Sequence, residues 1–132
     1  MTDKEKNILL KDLCCRLPYG VICHANEINI DGKLIFVNKL YDIAALYYDN
    51  AIGKFKSCPI NDIKPYLRPL LSMTEEEKEK YLSFHYRIEH LGQHDISISN
   101  YKDWLNAHHL DYRGLIPMGL ALEAKEGMYN IE

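Results

Sequence analysis

Glu27-Ile28-Asn29-Ile30-Asp31-Gly32-Lys33-Leu34-Ile35-Phe36-Val37 is the stretch whose reading decides the fold. Asp-Gly between two apolar runs is the strongest short-range hairpin signal, because both central residues of a type I′ turn need positive φ. The expectation is therefore two antiparallel strands joined at Asp31-Gly32. Upstream, Gly20-Val21-Ile22-Cys23-His24 predicts another strand, and downstream Lys54-Phe55-Lys56 adds a short one. Between them, Ile43 to Tyr48 reads as a strand ending in a turn at Asp49-Asn50, although Leu40, Ile43, Ala44 and Tyr47 also suit a helix. Residues 19–57 thus form a β-rich part: a small antiparallel sheet, with closure into an SH3-like barrel as one form of it.

Helices flank this part. Thr2 and Glu5 form a capping box for a helix over residues 3–16, with Leu9, Leu10, Leu13, Cys14 and Leu17 on its apolar side and Pro18 as its stop. Pro59, Pro65 and Pro69 make residues 59–71 an extended connector draped over the body. Thr74 and Glu77 cap a second helix with Tyr81, Leu82, His85 and Ile88 on one side and Gly92 as its stop. A polar connection over 92–98 leads to Ser99 or Asn100 as cap of a third helix, in which Tyr101, Trp104, Leu105 and His108 share a face. The tail, 115–132, has no clear period. The class is α+β, a single domain over 1–132, with the helical part spanning 74–132.

Composition narrows the function. A chain of 132 residues with 47% hydrophobic and 27% charged residues is ordinary for one folded domain. A net charge of −3 disfavours broad nucleic-acid or anionic-lipid binding, and no run of apolar residues spans a membrane. The four cysteines lack a CxxC pair and are expected reduced and buried. Phosphate-cradling and nucleophile-elbow motifs are absent.

The candidate site is the run from Trp104 to Pro117, where His108, His109, Asp111, Tyr112 and Arg113 crowd together. Imidazole can act as general base, a carboxylate can orient it, and Arg or Tyr can stabilise an anion. Against this, adjacent helical residues point about 100° apart. His108 continues the Trp104-Leu105 stripe, His109 suits a helix C-terminus, and Asp111 to Gly114 reads as a turn. The structural reading ranks first. His85, His90 and His94 lack the company of a zinc motif, so no metal or other cofactor is expected. Cys58, beside Lys54 and Lys56, is a weak nucleophile candidate. Ten tyrosines, Tyr41, Tyr47, Tyr48 and Tyr66 among them, serve packing first and recognition second.

Three stretches, Leu9 to Val21, Ile63 to Glu76, and Asp103-Trp104-Leu105-Asn106 with Asp111 to Ile116, together resemble a family of small uncharacterised proteins encoded by phages, prophages and mobile elements of gut bacteria. They cover roughly a third of the chain. The resemblance implies a bacterial host cytosol and a mobile-element setting, and it brings no catalytic residue. The expected function is a non-enzymatic accessory protein that binds a host or phage protein. The alternative is a binder or hydrolase of a nucleotide-like anion, of the anti-defence type, using the segment His108 to Arg113. An RNA- or DNA-binding accessory protein ranks third.

Overall fold

The computed structural model describes residues 1–48, 54–90 and 94–129, with the side chains of 94–97 outside that description. The turn expected at Asp49-Asn50 and the stop at Gly92 lie outside the described residues. The first helix, α1 (Asp3–Arg16), opens on the expected capping box: the Glu5 N–H donates to the Thr2 hydroxyl and the Thr2 N–H to the Glu5 carboxylate. A 3-10 turn over Leu17–Tyr19 then carries Pro18, and Gly20, left-handed at φ 69°, releases the chain into the sheet.

Six strands follow: β1 (Ile22–Ala25), β2 (Ile30–Asn38), β3 (Ile43–Tyr47), β4 (Phe55–Pro59), β5 (Ile63–Leu67) and β6 (Leu122–Glu123). Their order is β4-β3-β2-β1-β5-β6, antiparallel throughout except between β5 and β6. The sheet is open, with β4 and β6 at its edges, so the SH3-like barrel is not the form it takes.

The hairpin expected across Asp31-Gly32 does not form, because both residues lie inside β2; the hairpin that does form joins β1 to β2. Ala25 pairs with Ile30, Cys23 with Gly32, and the chain reverses over residues 26–29. Asn29 supplies the positive φ, at 52°, which Asn tolerates better than most residues. The Asp62 carboxylate holds the turn by accepting the Glu27 N–H, and its carbonyl accepts that of Asn26. Gly32 is needed inside β2 for another reason: a Cβ there would lie 2.8 Å from the Tyr47 carbonyl oxygen of β3.

The proline-rich stretch is also more ordered than expected. Rather than draping the surface, Ile63–Leu67 enters the sheet between β1 and β6. Pro65 is tolerated because β6 pairs only with Tyr66 and Leu67, leaving Pro65 with a ladder neighbour on the β1 side alone. The third helix differs too. Helix α2 spans Glu75–His90 and α3 spans His94–Ala107, so Ser99 and Asn100 are interior rather than caps. Exposed polar residues cost a helix little when packing holds it, and here Phe84 of α2 meets the Tyr101 and Trp104 rings at 5.5 and 5.9 Å. No described helix is long and apolar enough to cross a membrane.

The core lies on one face of the sheet. Leu9, Leu10 and Leu13 of α1, with Leu115, Leu120 and Ala121 of the tail, bury against Cys23, Ala25, Leu34, Ala44, Leu46, Cys58, Ile63 and Leu67. The alternate residues point the other way. There, Asp31 binds His24, Tyr66 and Lys125, while Phe36 and Phe55 stay about half exposed.

Candidate functional site

Helix α3 ends in a Schellman motif, and that ending sets the direction of every candidate residue. The Leu110 N–H reaches the Leu105 carbonyl and the His109 N–H that of Asn106, with His109 left-handed at φ 58°. A non-glycine residue there is strained by roughly 1 to 2 kcal/mol. Stacking of the His109 ring on Tyr129, at 3.7 Å and 16°, offsets that cost. The next residues line up beside Arg68: its N–H donates to the His109 carbonyl, and the Asp111 N–H donates to the Arg68 carbonyl.

From there the five candidates separate. The His108 ring lies on Trp104 at 4.8 Å, with Nδ1 3.0 Å from the Trp104 carbonyl, and faces a recess with Thr74, Glu75 and Lys80. His109 is buried and lines a different concavity with Tyr19, Lys33 and Tyr129. Burial first, and then the Arg16 charge, push its pKa down to about 4, so its ring is neutral near pH 7. The Asp111 carboxylate is buried and occupied by the N–H groups of Leu115 and Ile116, at 2.8 and 3.0 Å. Tyr112 and Arg113 face a third concavity. No shared surface gathers the five.

What does gather is a buried ionic junction that the sequence reading missed. The Asp12 carboxylate accepts Arg16 Nε at 2.8 Å and Arg113 Nε at 3.1 Å, and Arg16 Nη2 donates to the Leu110 carbonyl at 2.8 Å. Asp12 and Arg16 are fully buried. Nearby, Arg68 grips Glu77 through two parallel bonds of 2.7 and 2.8 Å, and donates further to the carbonyls of His108 and Ser72. The Arg68 guanidinium, more than the opposing burial, holds the Glu77 carboxyl down at about 2. One signal was available: residues 9, 12, 13 and 16 share one side of α1, so Asp12 and Arg16 had to enter the core beside Leu9 and Leu13.

The third concavity, about 400 Å³, lies between the end of α1 and α3. Lys11, Cys14 and Cys15 line it from α1, Lys102 and Asp103 from α3, with Tyr112 and Arg113 beside them. Tyr112 donates to Asn106 Oδ1 at 3.0 Å and accepts from Arg113 Nη2 at 3.0 Å, and that Nη2 also lies 3.5 Å from the Cys15 sulfur. Cys14 and Cys15 are only half buried, contrary to expectation, because they turn from the core side of α1 towards α3. Cys23 and Cys58 are buried, and burial pushes the Cys58 thiol pKa up despite Lys56, the reverse of what a nucleophile requires. Of the metal candidates, His85 is engaged with the Tyr101 hydroxyl at 3.1 Å. Among the described residues no three His, Cys, Asp or Glu side chains gather to hold a metal.

The arrangement holds the end of α3 against α1 and β5 and leaves two surfaces with unspent chemistry, the outer face of the sheet and the basic concavity. Comparison with protein-family models, with curated proteins and with solved structures finds no match to this chain.

Proposed function

We propose that this chain is a non-enzymatic accessory module that binds another protein through the outer face of β2, β3 and β4, in the cytosol of a bacterial host and in a phage or mobile-element setting. The observation that carries the reading is the pair Phe36 and Phe55, 47% and 55% exposed on the sheet face opposite the core. Phe36 lies across from Ala45, and Phe55 across from Tyr47, so the rings flank β3 from both sides. β4 is also an edge strand, and an exposed edge accepts a partner strand. The setting rests on the three sequence stretches; the four free thiols are compatible with a reducing cytosol.

The test is affinity capture from host cells by the native chain and by a Phe36→Ser/Phe55→Lys variant. A protein held by the native chain and lost from the folded variant supports the reading. Equal capture by both refutes it.

One observation favours the anion-binding alternative in a reduced form. Lys11 and Lys102 stand with Arg113 around the third concavity, with Asp103 as the one carboxylate in its lining. This reading now rests on Tyr112, Arg113 and the two lysines, because His108, His109 and Asp111 are directed elsewhere.

A further inference from the structure

The basic concavity also holds a nucleophile. Cys15 lies one helical turn after Lys11 on α1, so thiol and ammonium share a side of the helix. Cys15 is only partly buried and lines the concavity, and Arg113 Nη2 lies 3.5 Å from its sulfur. Lys102 closes the far side from α3. Neither lysine has an ion-pair partner among the described residues, whereas Asp12 already engages Arg113. Three cations against Asp103 make the concavity attractive to a small polyanion. A sulfur at its edge gives that attraction a chemical outcome.

We propose that Cys15 is a site of reversible thiol–disulfide exchange with an anionic peptide disulfide, whose carboxylates are drawn in by Lys11, Lys102 and Arg113. The Cys15 thiol loses its proton to solvent, and the thiolate attacks one sulfur of the disulfide. The new S–S bond joins Cys15 to that half of the reagent. The old S–S bond breaks, its electron pair leaves on the second sulfur, and that thiolate takes a proton from solvent. Cys15 is oxidised and the released thiol is the reduced product. Arg113 faces the sulfur where charge is highest during the exchange. The helix C-terminus, whose dipole disfavours an anion, opposes it, which is why the surrounding cations matter. Cys14, next in the chain, lines the same concavity without a guanidinium contact and serves as the internal comparison.

The proposal shares its cations with the anion-binding alternative, but it does not require tight reversible binding. The full-length chain is incubated with glutathione disulfide, which carries more carboxylates than ammonium groups, and in parallel with uncharged bis(2-hydroxyethyl) disulfide. Peptide mapping by mass spectrometry locates the adduct. The expected adduct is on Cys15, is removed by dithiothreitol, and remains in a Cys14→Ser variant. In a Lys11→Gln/Lys102→Gln variant, both positions being exposed, the reaction with glutathione disulfide slows by about tenfold at low ionic strength. Its reaction with the uncharged reagent, which the two lysines influence only through the thiolate, slows by less. An adduct on Cys14, no adduct on either cysteine, or equal slowing with both reagents overturns the proposal. Failure of inorganic pyrophosphate to bind the native chain would remove the alternative reading and leave this one standing.

Discussion

Replacing Glu77 by Gln removes one charge from the Arg68–Glu77 pair while keeping the side chain's shape. In the native chain this carboxylate does two jobs: Oε1 accepts both Arg68 Nη2 at 2.7 Å and the capping N–H of Thr74 at 2.8 Å. Its side chain is 6% exposed, so solvent replaces little of what is lost. The carboxyl moves from its ordinary 4.5 to about 2 in the fold. At about 1.4 kcal/mol per pKa unit, reduced slightly for water near the start of α2, the pair contributes about 2 to 3 kcal/mol at neutral pH. The amide that replaces it would also turn its NH2 towards one guanidinium N–H, so the full cost at pH 7 is about 2 to 4 kcal/mol. The sign of the pH dependence follows from the direction of the shift. A folded value below the unfolded one gives a contribution that is complete above about pH 4.5 and is lost as the pH falls towards 2. Urea unfolding followed by circular dichroism, on native chain and variant at pH 7, 4 and 3, measures the gap directly. Other carboxylates titrate equally in both chains and cancel. A gap below about 1 kcal/mol at pH 7, or one that does not shrink on acidification, would refute the argument.

Two further predictions concern the buried junction. Asp12→Asn strands the guanidiniums of Arg16 and Arg113 without a counter-charge and should cost about 3 to 5 kcal/mol, whereas Arg113→Gln leaves the Arg16–Asp12 pair intact and should cost about 1 kcal/mol. Urea midpoints test the ranking, and equal costs would show that Arg113 is the main partner of Asp12. His109 should titrate near 4 in the folded chain, read from its ring resonances by NMR, against its ordinary 6.5. The unfolded chain then takes up the proton first, so stability falls as the pH drops from 6.5 towards 4 and levels off below. A midpoint of 6 or higher would mean that the ring is neither sealed by Tyr129 nor under the influence of Arg16.

Local chemistry was legible in the sequence where a residue's partner lies within a turn of it. Thr2 with Glu5 and Thr74 with Glu77 are such pairs, and both capping boxes are where the spacing puts them. The apolar run over residues 43–47, open to strand or helix from its sequence, is a strand because β2 and β4 flank it. Errors arose where distant contacts overrode local preference. Asp31-Gly32 has the chemistry of a turn, but Asp62 fixes the turn at 26–29 from 35 residues away, and the close approach of β3 claims Gly32. Pro65 argues against a strand in isolation, and only the short reach of β6 makes room for it. At the candidate site, the residue types suggested chemistry, while their direction depended on the left-handed turn at His109 and on Asp12, 101 positions before Arg113.

The buried junction also bears on the three stretches on which the proposed mobile-element setting rests. Asp12 and Arg16 belong to the first, Arg68 to the second, Asp111 and Arg113 to the third, and they meet at Leu110: Arg16 binds its carbonyl, and Arg68 pairs with it in a parallel bridge. Buried ion pairs are weak sources of net stability, since desolvation consumes much of their attraction. They are nonetheless demanding about partners, because a buried guanidinium without its carboxylate is costly. The first and third stretches, joined by the Asp12–Arg113 pair, and the second, joined to the third by the Arg68 bridge to Leu110, are therefore constrained together by packing, whether or not a ligand ever touches them. The fold itself thus accounts for the most chemically crowded part of the sequence. The open concavity beside Cys15 and the outer sheet face with Phe36 and Phe55 are surfaces where fold stability asks little of the side chains. Exposed apolar rings on a sheet beside an unpaired edge strand invite aggregation unless something covers them. Retaining both there is easiest to understand if a partner does.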